Sequence, residues 1–220
     1  MVDPDTYRRR LGEAVDGPVE IEVATLGSTE RLIAAGDGAD VVVTDIDTPV
    51  TAEAIDALAP DLQGIVRSAV GVDNVDVGAA ADAGVTVTRV PDYCTEEVAV
   101  HSVSLLLTCL RSVSRYDDAV ADGRWTWEDG RPVRRLSDST VGLLSFGPIA
   151  RRAAERLSGF SAELIAHDPF VDADQMDAYG VEKVEVRALF DRGDHIAVYA
   201  PLTESTRGMV DADALGRLDA

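Results

Sequence analysis

The chain has 220 residues, 46% of them hydrophobic, so it is long enough to bury one large core or two smaller ones. Its 40 acidic and 20 basic residues leave a net charge of −20, which argues against binding to nucleic acid or to an anionic membrane. The sequence contains neither an 18-residue apolar stretch nor the apolar run of a signal peptide. We therefore expect a globular cytoplasmic protein whose acidic surface suits high salt, where screening weakens charge repulsion.

Cysteine and histidine usage predicts no metal centre. Cys94 and Cys109 form no disulfide framework, which fits a reducing compartment. The three histidines lie far apart, and no pair of cysteines has the spacing of a zinc site. His101 falls on a predicted helix, and we interpret it as a packed or capping residue rather than a catalyst.

The first half of the chain alternates predicted strands with predicted helices. Such alternation predicts a doubly wound α/β fold with a parallel sheet, in which ligands bind beyond the carboxyl ends of the strands. The predicted strands cover residues 19–24, 41–44, 65–68 and 85–90, and the predicted helices cover residues 29–35, 52–58 and 75–83.

The loop after the third predicted strand, R-S-A-V-G-V-D-N-V-D, is a candidate substrate site. Its small residues allow close approach of the backbone, so the N–H groups of Val70 and Gly71 are candidates to bind a carboxylate, with Arg67 adding charge. A plain turn in which Asp73 or Asn74 caps the next helix explains the same spacing. The sequence pattern leaves both interpretations open.

A long helix, residues 96–115, is predicted next, with Thr95 as its cap. It links the two halves, and we divide the chain into a substrate-binding domain of residues 1–98 and a nucleotide-binding domain of residues 99–220. The apolar side of this helix is predicted to consist of Val100, Val103, Leu106, Leu107 and Leu110.

The second half begins with a strand, a turn and a helix in direct succession. Residues 141–144 read as a buried strand, Pro148 suits the first position of a helix, and Gly159 is predicted to end that helix. A second strand, 164–166, leads directly to Asp168. This order of elements is typical of a dinucleotide-binding unit.

The turn in that unit matches the dinucleotide fingerprint G-x-G-x-x-G imperfectly, as Ser145-x-Gly147-x-x-Ala150. In the fingerprint, amide groups at the helix N-terminus hold the pyrophosphate, and an acid about 20 residues on binds the ribose hydroxyls. We therefore expect the amides around Phe146 to surround the diphosphate and Asp168 to bind the ribose. A purely structural strand-to-helix turn is the alternative.

Two further strands, 181–185 and 195–199, and a final helix, 211–218, complete the second half. Strand 195–199 is predicted to form an exposed parallel edge, because no later strand of this sequence is available to cover it.

Several motifs together resemble the D-isomer-specific 2-hydroxyacid dehydrogenase family, especially the branch of D-3-phosphoglycerate dehydrogenase and the C-terminal-binding-protein co-repressors. The resemblance covers nearly all of residues 18–220 in the expected order, and as a set the motifs are specific. The motifs are R-S-A-V-G-V-D-N-V-D, V-P-D-Y-C-T-E-E-V-A-V-H, G-R-W-T-W, R-L-S-D-S-T-V-G-L-L-S-F-G-P-I-A, H-D-P and A-P-L-T-E-S-T-R-G.

The resemblance implies a flavodoxin-like domain followed by a Rossmann domain, with the active site between them, and usually a homodimer. It implies NAD-linked interconversion of a 2-hydroxy acid and a 2-keto acid, for instance a substrate like 3-phosphoglycerate. By resemblance, the substrate carboxylate and the nicotinamide meet the backbone of Val70 and Gly71. The implied contacts to the rest of NAD are Gly147, Pro148 and Ile149 at the pyrophosphate, Asp168 at the ribose, and Ala200, Pro201 and Thr206 on the adenosine side.

The sequence departs from the family pattern at several of these places. Ala69, Ser145 and Ala150 replace usual glycines, Pro148 replaces a usual arginine, and Val100 replaces a usual acid. The family's catalytic Arg, Glu and His are expected beyond Ala220, and His195 precedes the A-P-L-T segment and does not correspond to any of them. The 220-residue chain is thus expected to be incomplete at its C-terminus and inactive alone.

Two other functions fit the same sequence. One is a non-enzymatic NAD(H)-sensing protein of the co-repressor type, and the other is a different nucleotide-binding α/β protein, such as a relative of adenosylhomocysteine hydrolase. Trp125 and Trp127 are predicted to be either dimer contacts or a pair in the core.

Overall fold

The computed structural model describes residues 4–218 and divides the chain into two compact units, with the division between Tyr93 and Cys94. Each unit is an α/β structure built on one parallel sheet, as the alternation of elements predicts. The division assigned from the sequence, after residue 98, lies inside the first helix of the second unit, whereas the contacts place it ahead of that helix.

The first unit carries a three-stranded parallel sheet in the order β1-β2-β3. Its core packs Leu32, Ile55 and Ile65 between this sheet and the helices around it. The elements are α1 (Pro4–Ala14), α2 (Thr29–Gly36), β1 (Val41–Thr44), α3 (Ala52–Leu58), β2 (Gly64–Arg67), α4 (Val77–Asp82) and β3 (Thr86–Arg89).

Local sequence signals account for most of these boundaries. The side chains of Ser28, Thr51 and Asp76 each accept a hydrogen bond from a backbone N–H in the first turn of α2, α3 and α4. Gly84 takes a left-handed conformation (φ +73°) two residues before β3, at the predicted end of a helix. Helix α1 buries no residue, and its Arg8 and Arg9 pair with acids three or four residues away, so it forms a solvated surface.

The predicted strand 19–24 is wrong, because these residues have no regular structure. The segment alternates valine or isoleucine with glutamate, which is a strand period, but a strand also needs a partner and a surface to cover. Val23 is exposed, and the described part of the first sheet begins at β1.

The second unit carries a four-stranded parallel sheet in the order β6-β5-β4-β7. Its elements are α5 (Thr95–Leu110), α6 (Val113–Ala121), β4 (Thr140–Leu144), α7 (Pro148–Leu157), β5 (Glu163–His167), α8 (Ala173–Asp177), β6 (Glu182–Lys183), α9 (Val186–Arg192), β7 (His195–Val198) and α10 (Ala212–Leu215).

Strand β4 lies inside the sheet and is covered on both faces. Val141 and Leu143 belong to a core that includes residues of α5 and α7, and Leu144 belongs to a second core with residues of α9 and α10. Gly142, between Val141 and Leu143, lets the Ile196 side chain pack close to the backbone, since a methyl group there would lie 2.5 Å from Ile196 Cδ1. Burial on both faces explains why this strand is apolar along its whole length.

Strand β7 is an edge of the described sheet, as predicted. It pairs with β4 on one side, and Val198 near its end is 54% exposed.

The single helix predicted over residues 96–115 is instead two helices, α5 and α6. The break falls at Ser112, which has a left-handed backbone (φ +51°) and donates its hydroxyl to the Gly130 carbonyl at 2.9 Å. Thr95 is the first helical residue and not the cap, since Cys94 precedes the helix without a side-chain capping bond. Val100 is about half exposed, while Val103 is buried.

The ends of three more elements differ from the predicted ones. Strand 181–185 is reduced to Glu182–Lys183, and the last helix to Ala212–Leu215. Helix α7 ends at Leu157, and a short 3-10 turn, Ser158–Phe160, follows it and contains Gly159.

Within residues 4–218, no helix combines the length and apolar character needed to cross a bilayer. The same residues contain no cluster of three or more His, Cys, Asp or Glu side chains arranged to hold a metal ion.

Candidate functional site: the turn after strand β4 and its neighbours

The candidate dinucleotide site is built on the pairing of β4 with β5. These strands run parallel in register, with Leu144 opposite His167, so the residues that follow them lie side by side. The pairing continues one residue further, because Ser145 N donates to the His167 carbonyl at 2.8 Å. Ser145 and Asp168, which are 23 positions apart along the chain, are thus brought into contact.

Asp168 accepts three hydrogen bonds from the surrounding backbone and turn. Its Oδ2 accepts from Phe146 N at 2.8 Å and from Ser145 Oγ at 3.0 Å, and its Oδ1 accepts from Phe170 N at 2.9 Å. The residue is only 7% exposed. The Phe146 amide is therefore bonded to Asp168, so the expectation that it surrounds a diphosphate is wrong.

Burial and hydrogen bonding act on the pKa of Asp168 in opposite directions. Removal from water would raise the pKa, but the bonds from the Phe146 and Phe170 amides and the Ser145 hydroxyl, with nearby His167, lower it below its usual value. Asp168 is thus a carboxylate at neutral pH, as an acceptor of ribose hydroxyls must be.

The N-terminus of α7 is open where the fingerprint places a pyrophosphate. Gly147 is the N-cap and provides no capping side chain, and the first bond of the helical ladder runs from Arg151 N to the Gly147 carbonyl at 3.0 Å. The amides of Ile149 and Ala150 precede that bond and have no partner in the ladder, while Pro148 has no N–H to satisfy.

Gly147 itself faces open space. Its backbone is extended and unstrained (φ −74°), and a methyl group built on it would meet no atom within 4 Å. The fold therefore does not require glycine here for its own packing. A space that a methyl group would fill, next to free amides at a helix N-terminus, fits the approach of a pyrophosphate.

Phe146 anchors the turn from below. Its side chain is fully buried and packs edge-on against Tyr179, with ring centroids 5.6 Å apart. Arg151 reaches back from α7 to donate from Nε to the Phe146 carbonyl at 3.1 Å. The variable position of the fingerprint is thus a core residue, which an isolated fingerprint cannot indicate.

The predicted adenosine-side residues meet in one cavity. Ala200, Pro201 and Thr206 line a recess of about 210 Å³ that also contacts Leu144 at the end of β4. The Thr206 hydroxyl donates to the Pro201 carbonyl at 2.5 Å and accepts from Thr203 N at 2.8 Å, which closes this loop on itself.

In the first unit, Arg67 lies at the end of β2 and is 3% exposed. Its Nε donates to Asn74 Oδ1 at 2.7 Å, and Asn74 Nδ2 donates in turn to the carbonyls of Asp45 (3.0 Å) and Thr48 (2.6 Å). Asn74 thereby ties the loop after β2 to the loop after β1. Arg67 Nη1 is buried without a partner in residues 4–218.

The amides of Val70 and Gly71 are available to a ligand. Neither N–H donates to another atom in the part of the chain that the structure describes, while the Val70 carbonyl accepts from Arg89 Nη1 at 2.6 Å. The simple-turn alternative named Asp73 or Asn74 as the helix cap, but Asp76 caps α4 instead. The loop is thus held by Asn74, whose role was missed, although its place in the loop motif was a signal.

The remaining candidates lie elsewhere. His101 is exposed on α5, and His195 lies at the start of β7, at the opposite end of that strand from the turn loops. Trp125 is 92% exposed and Trp127 is also exposed, so the prediction of a core pair is wrong.

Comparison with known proteins identifies the family. Residues 103–220, more than half of the chain, match the model of the D-isomer specific 2-hydroxyacid dehydrogenase, NAD binding domain. D-3-phosphoglycerate dehydrogenase of Mycobacterium bovis is 32% identical over 204 residues, which are 93% of this chain and 38% of that protein. Hydroxypyruvate reductase of Thermotoga maritima is 32% identical over 81% of this chain and 57% of its own length.

Solved structures of dehydrogenases share the fold of this chain. A D-lactate dehydrogenase of Aquifex aeolicus, complexed with NAD and lactic acid, shares the fold with a TM-score of 0.87 at 22% identity, covering 98% of this chain and 63% of that one. An NAD-dependent formate dehydrogenase of Staphylococcus aureus in complex with NAD has a TM-score of 0.79 at 31% identity, covering 86% and 57%. The chain belongs to the D-isomer specific 2-hydroxyacid dehydrogenase family, whose cofactor is NAD.

Proposed function

We propose that these residues are part of an NAD-dependent dehydrogenase that interconverts a 2-hydroxy acid and its 2-keto acid. The chain spans 38% of the length of the M. bovis relative, so the activity is proposed for the protein that contains it. The observation that carries the proposal is the open space at Gly147 beside the preformed acceptor Asp168. D-3-phosphoglycerate is the first substrate to test, because relatives of that name match at 32% identity.

Different residues of the chain are proposed to hold different parts of the cofactor. NAD, when bound, accepts or delivers the hydride. Asp168 accepts from the adenosine ribose, and a carboxylate there disfavours the 2′-phosphate of NADP by charge repulsion. The pyrophosphate is assigned to the backbone of Gly147, Pro148 and Ile149, and the adenosine side to Ala200, Pro201 and Thr206.

The substrate end is proposed to lie at the loop after β2. The free amides of Val70 and Gly71 suit a carboxylate, and we assign Val70 to the nicotinamide as well, on the family resemblance. Arg67 adds positive charge below the loop, and its Nε bond to Asn74 holds the loop in place. Arg67 Nη1 is buried and has no partner within residues 4–218, so its positive charge acts on the loop from within the unit.

Substitution of Gly147 by alanine is expected to separate binding from folding. The backbone conformation suits alanine and the space is open, so stability should change by no more than about 1 kcal/mol, the cost of a poorer N-cap. NADH affinity should fall by at least about tenfold, because the methyl group occupies the space of the pyrophosphate. Titration calorimetry with NADH and thermal unfolding measure the two quantities.

Gly159→Ala is the matched control, since its added methyl group also meets open space but lies at the other end of α7. We expect this variant to bind NADH like the parent chain. Equal NADH affinity in Gly147→Ala and the parent would show that the pyrophosphate does not bind at this turn.

Residues 1–220 alone are expected to bind NADH without reducing pyruvate, glyoxylate or hydroxypyruvate. Turnover needs a base for the hydroxyl proton and a cation at the carbonyl oxygen, and the family resemblance places both beyond Ala220. Loss of NADH absorbance with each keto acid is the measurement, and steady turnover by the purified 220 residues would contradict the expectation. The control is the protein extended by the coding sequence after Ala220; NADH binding without turnover in that version favours the NAD(H)-sensing alternative.

We further propose that the protein is a homodimer of the cytoplasm. Apolar side chains are exposed on α6 and the turn after it, among them Val113, Val120, Trp125 and Trp127, as an interface between copies requires. Sedimentation should give a dimer that Trp125→Ala weakens and the equally exposed control Phe170→Ala does not. A parent chain that sediments as a monomer contradicts this assembly, and fractionation of cells tests the location.

A further inference from the structure

The Ser145 hydroxyl occupies an acceptor position of the residue assigned to the ribose. A carboxylate has about four acceptor positions, two on each oxygen. In Asp168, both positions of Oδ2 are used, by Phe146 N at 2.8 Å and Ser145 Oγ at 3.0 Å, and one position of Oδ1 is used by Phe170 N at 2.9 Å. A single position remains, whereas a ribose diol donates two hydrogen bonds.

Among these three donors, only the serine hydroxyl can be displaced. The two amides are fixed by the backbone of the turn and of the segment after β5. The Ser145 side chain is half-buried, and its hydroxyl can rotate toward water once a ligand takes its place.

The backbone conformation at Ser145 is one that disfavours serine. Its φ is +77°, a left-handed conformation that favours glycine, so a residue with a Cβ atom adopts it at a cost in free energy. The hydrogen bond to a buried carboxylate offsets this cost in the ligand-free chain. Binding of the ribose diol would remove that offset.

We propose that Ser145 is an affinity-setting residue, whose hydroxyl competes with the adenosine ribose for Asp168 and weakens NAD(H) binding. The inference rests on the proposed cofactor function, and adds that the ligand-free chain carries its own substitute for a ribose hydroxyl. A ligand with one ribose hydroxyl needs only the remaining position of Oδ1 and does not meet this competition.

The test compares ADP with 2′-deoxy-ADP in the parent chain, Ser145→Gly and Ser145→Ala. The parent chain should bind the two ligands within about twofold of each other, since one acceptor serves both. Both variants should bind ADP about threefold to tenfold more tightly, the contribution of one net hydrogen bond, with 2′-deoxy-ADP unchanged. Ser158→Ala, which removes a serine hydroxyl at the far end of α7, should change neither affinity.

Thermal unfolding separates this effect from backbone strain. Glycine relieves the strain at position 145 and alanine retains it, so Ser145→Gly should melt higher than Ser145→Ala while both gain the same affinity for ADP. Unchanged or weaker ADP binding in both variants overturns the proposal, as does an affinity that follows the melting temperature. If the parent chain binds neither NADH nor ADP, the cofactor function itself fails, and this inference fails with it.

Discussion

Replacement of Asp168 by asparagine is expected to lower NADH affinity by about tenfold to a hundredfold, the value of one or two hydrogen bonds to a charged acceptor. The amide has one acceptor oxygen in place of two, and its NH2 group would face either the Phe146 and Ser145 donors or the Phe170 amide. The first orientation deprives both the Phe146 amide and the Ser145 hydroxyl of their acceptor, and the second deprives the Phe170 amide. The preference for NADH over NADPH should shrink as well, because the repelling charge is gone.

The difference in stability between the parent chain and Asp168→Asn should depend on pH in a defined direction. The folded pKa of Asp168 is lowered, so ionised Asp168 stabilises the folded chain above the unfolded pKa of about 3.9, and this contribution is lost as pH falls through the folded pKa. The parent chain should therefore be more stable than Asp168→Asn at neutral pH, and the difference should narrow in acid.

The matched control is Asp177→Asn, which removes the same charge from an exposed position in α8. Calorimetry with NADH and urea unfolding at several pH values give the two quantities for each variant. Equal NADH affinity in Asp168→Asn and Asp177→Asn would show that Asp168 does not bind the ribose.

Replacement of Phe146 by alanine is expected to lower the free energy of unfolding of the second unit by about 3–5 kcal/mol. The ring is fully buried and packs edge-on against Tyr179, so its removal leaves a cavity under the turn and removes an aromatic contact. Urea unfolding followed by far-ultraviolet circular dichroism measures the loss. NADH binding should weaken in parallel, because Phe146 positions both the turn and the amide that holds Asp168.

Phe170→Ala is the control of the same residue type in the same unit. That ring is 93% exposed, and its deletion should change stability by no more than about 0.5 kcal/mol. A loss of less than about 1 kcal/mol in Phe146→Ala would mean that the core under the turn can close around the missing ring.

The elements around the turn were predictable because their signals are local. The apolar run of β4, Pro148 at the start of α7 and the short strand before Asp168 all appear in the structure at the expected places. Where a prediction failed, the deciding contact was distant. Residues 19–24 have the period of a strand, and helix α5 has no sequence break as strong as proline before Ser112. Residues 19–24 have no pairing partner in the described sheet, and the bond from Ser112 to the distant Gly130 carbonyl accompanies the break after α5.

The sequence by itself determined the family, the alternation of strands and helices, and the identity of the acid at the end of β5, since periodicity, turn residues and motif spacing act within a few residues of each other. Only the tertiary structure decided what that acid does in the ligand-free chain. The parallel register of β4 and β5 brings Ser145 and the Phe146 amide onto Asp168, while Gly147 in the same turn faces open space. Hydrogen bonds between residues more than 20 positions apart depend on how strands pair, and no local pattern in the chain specifies them.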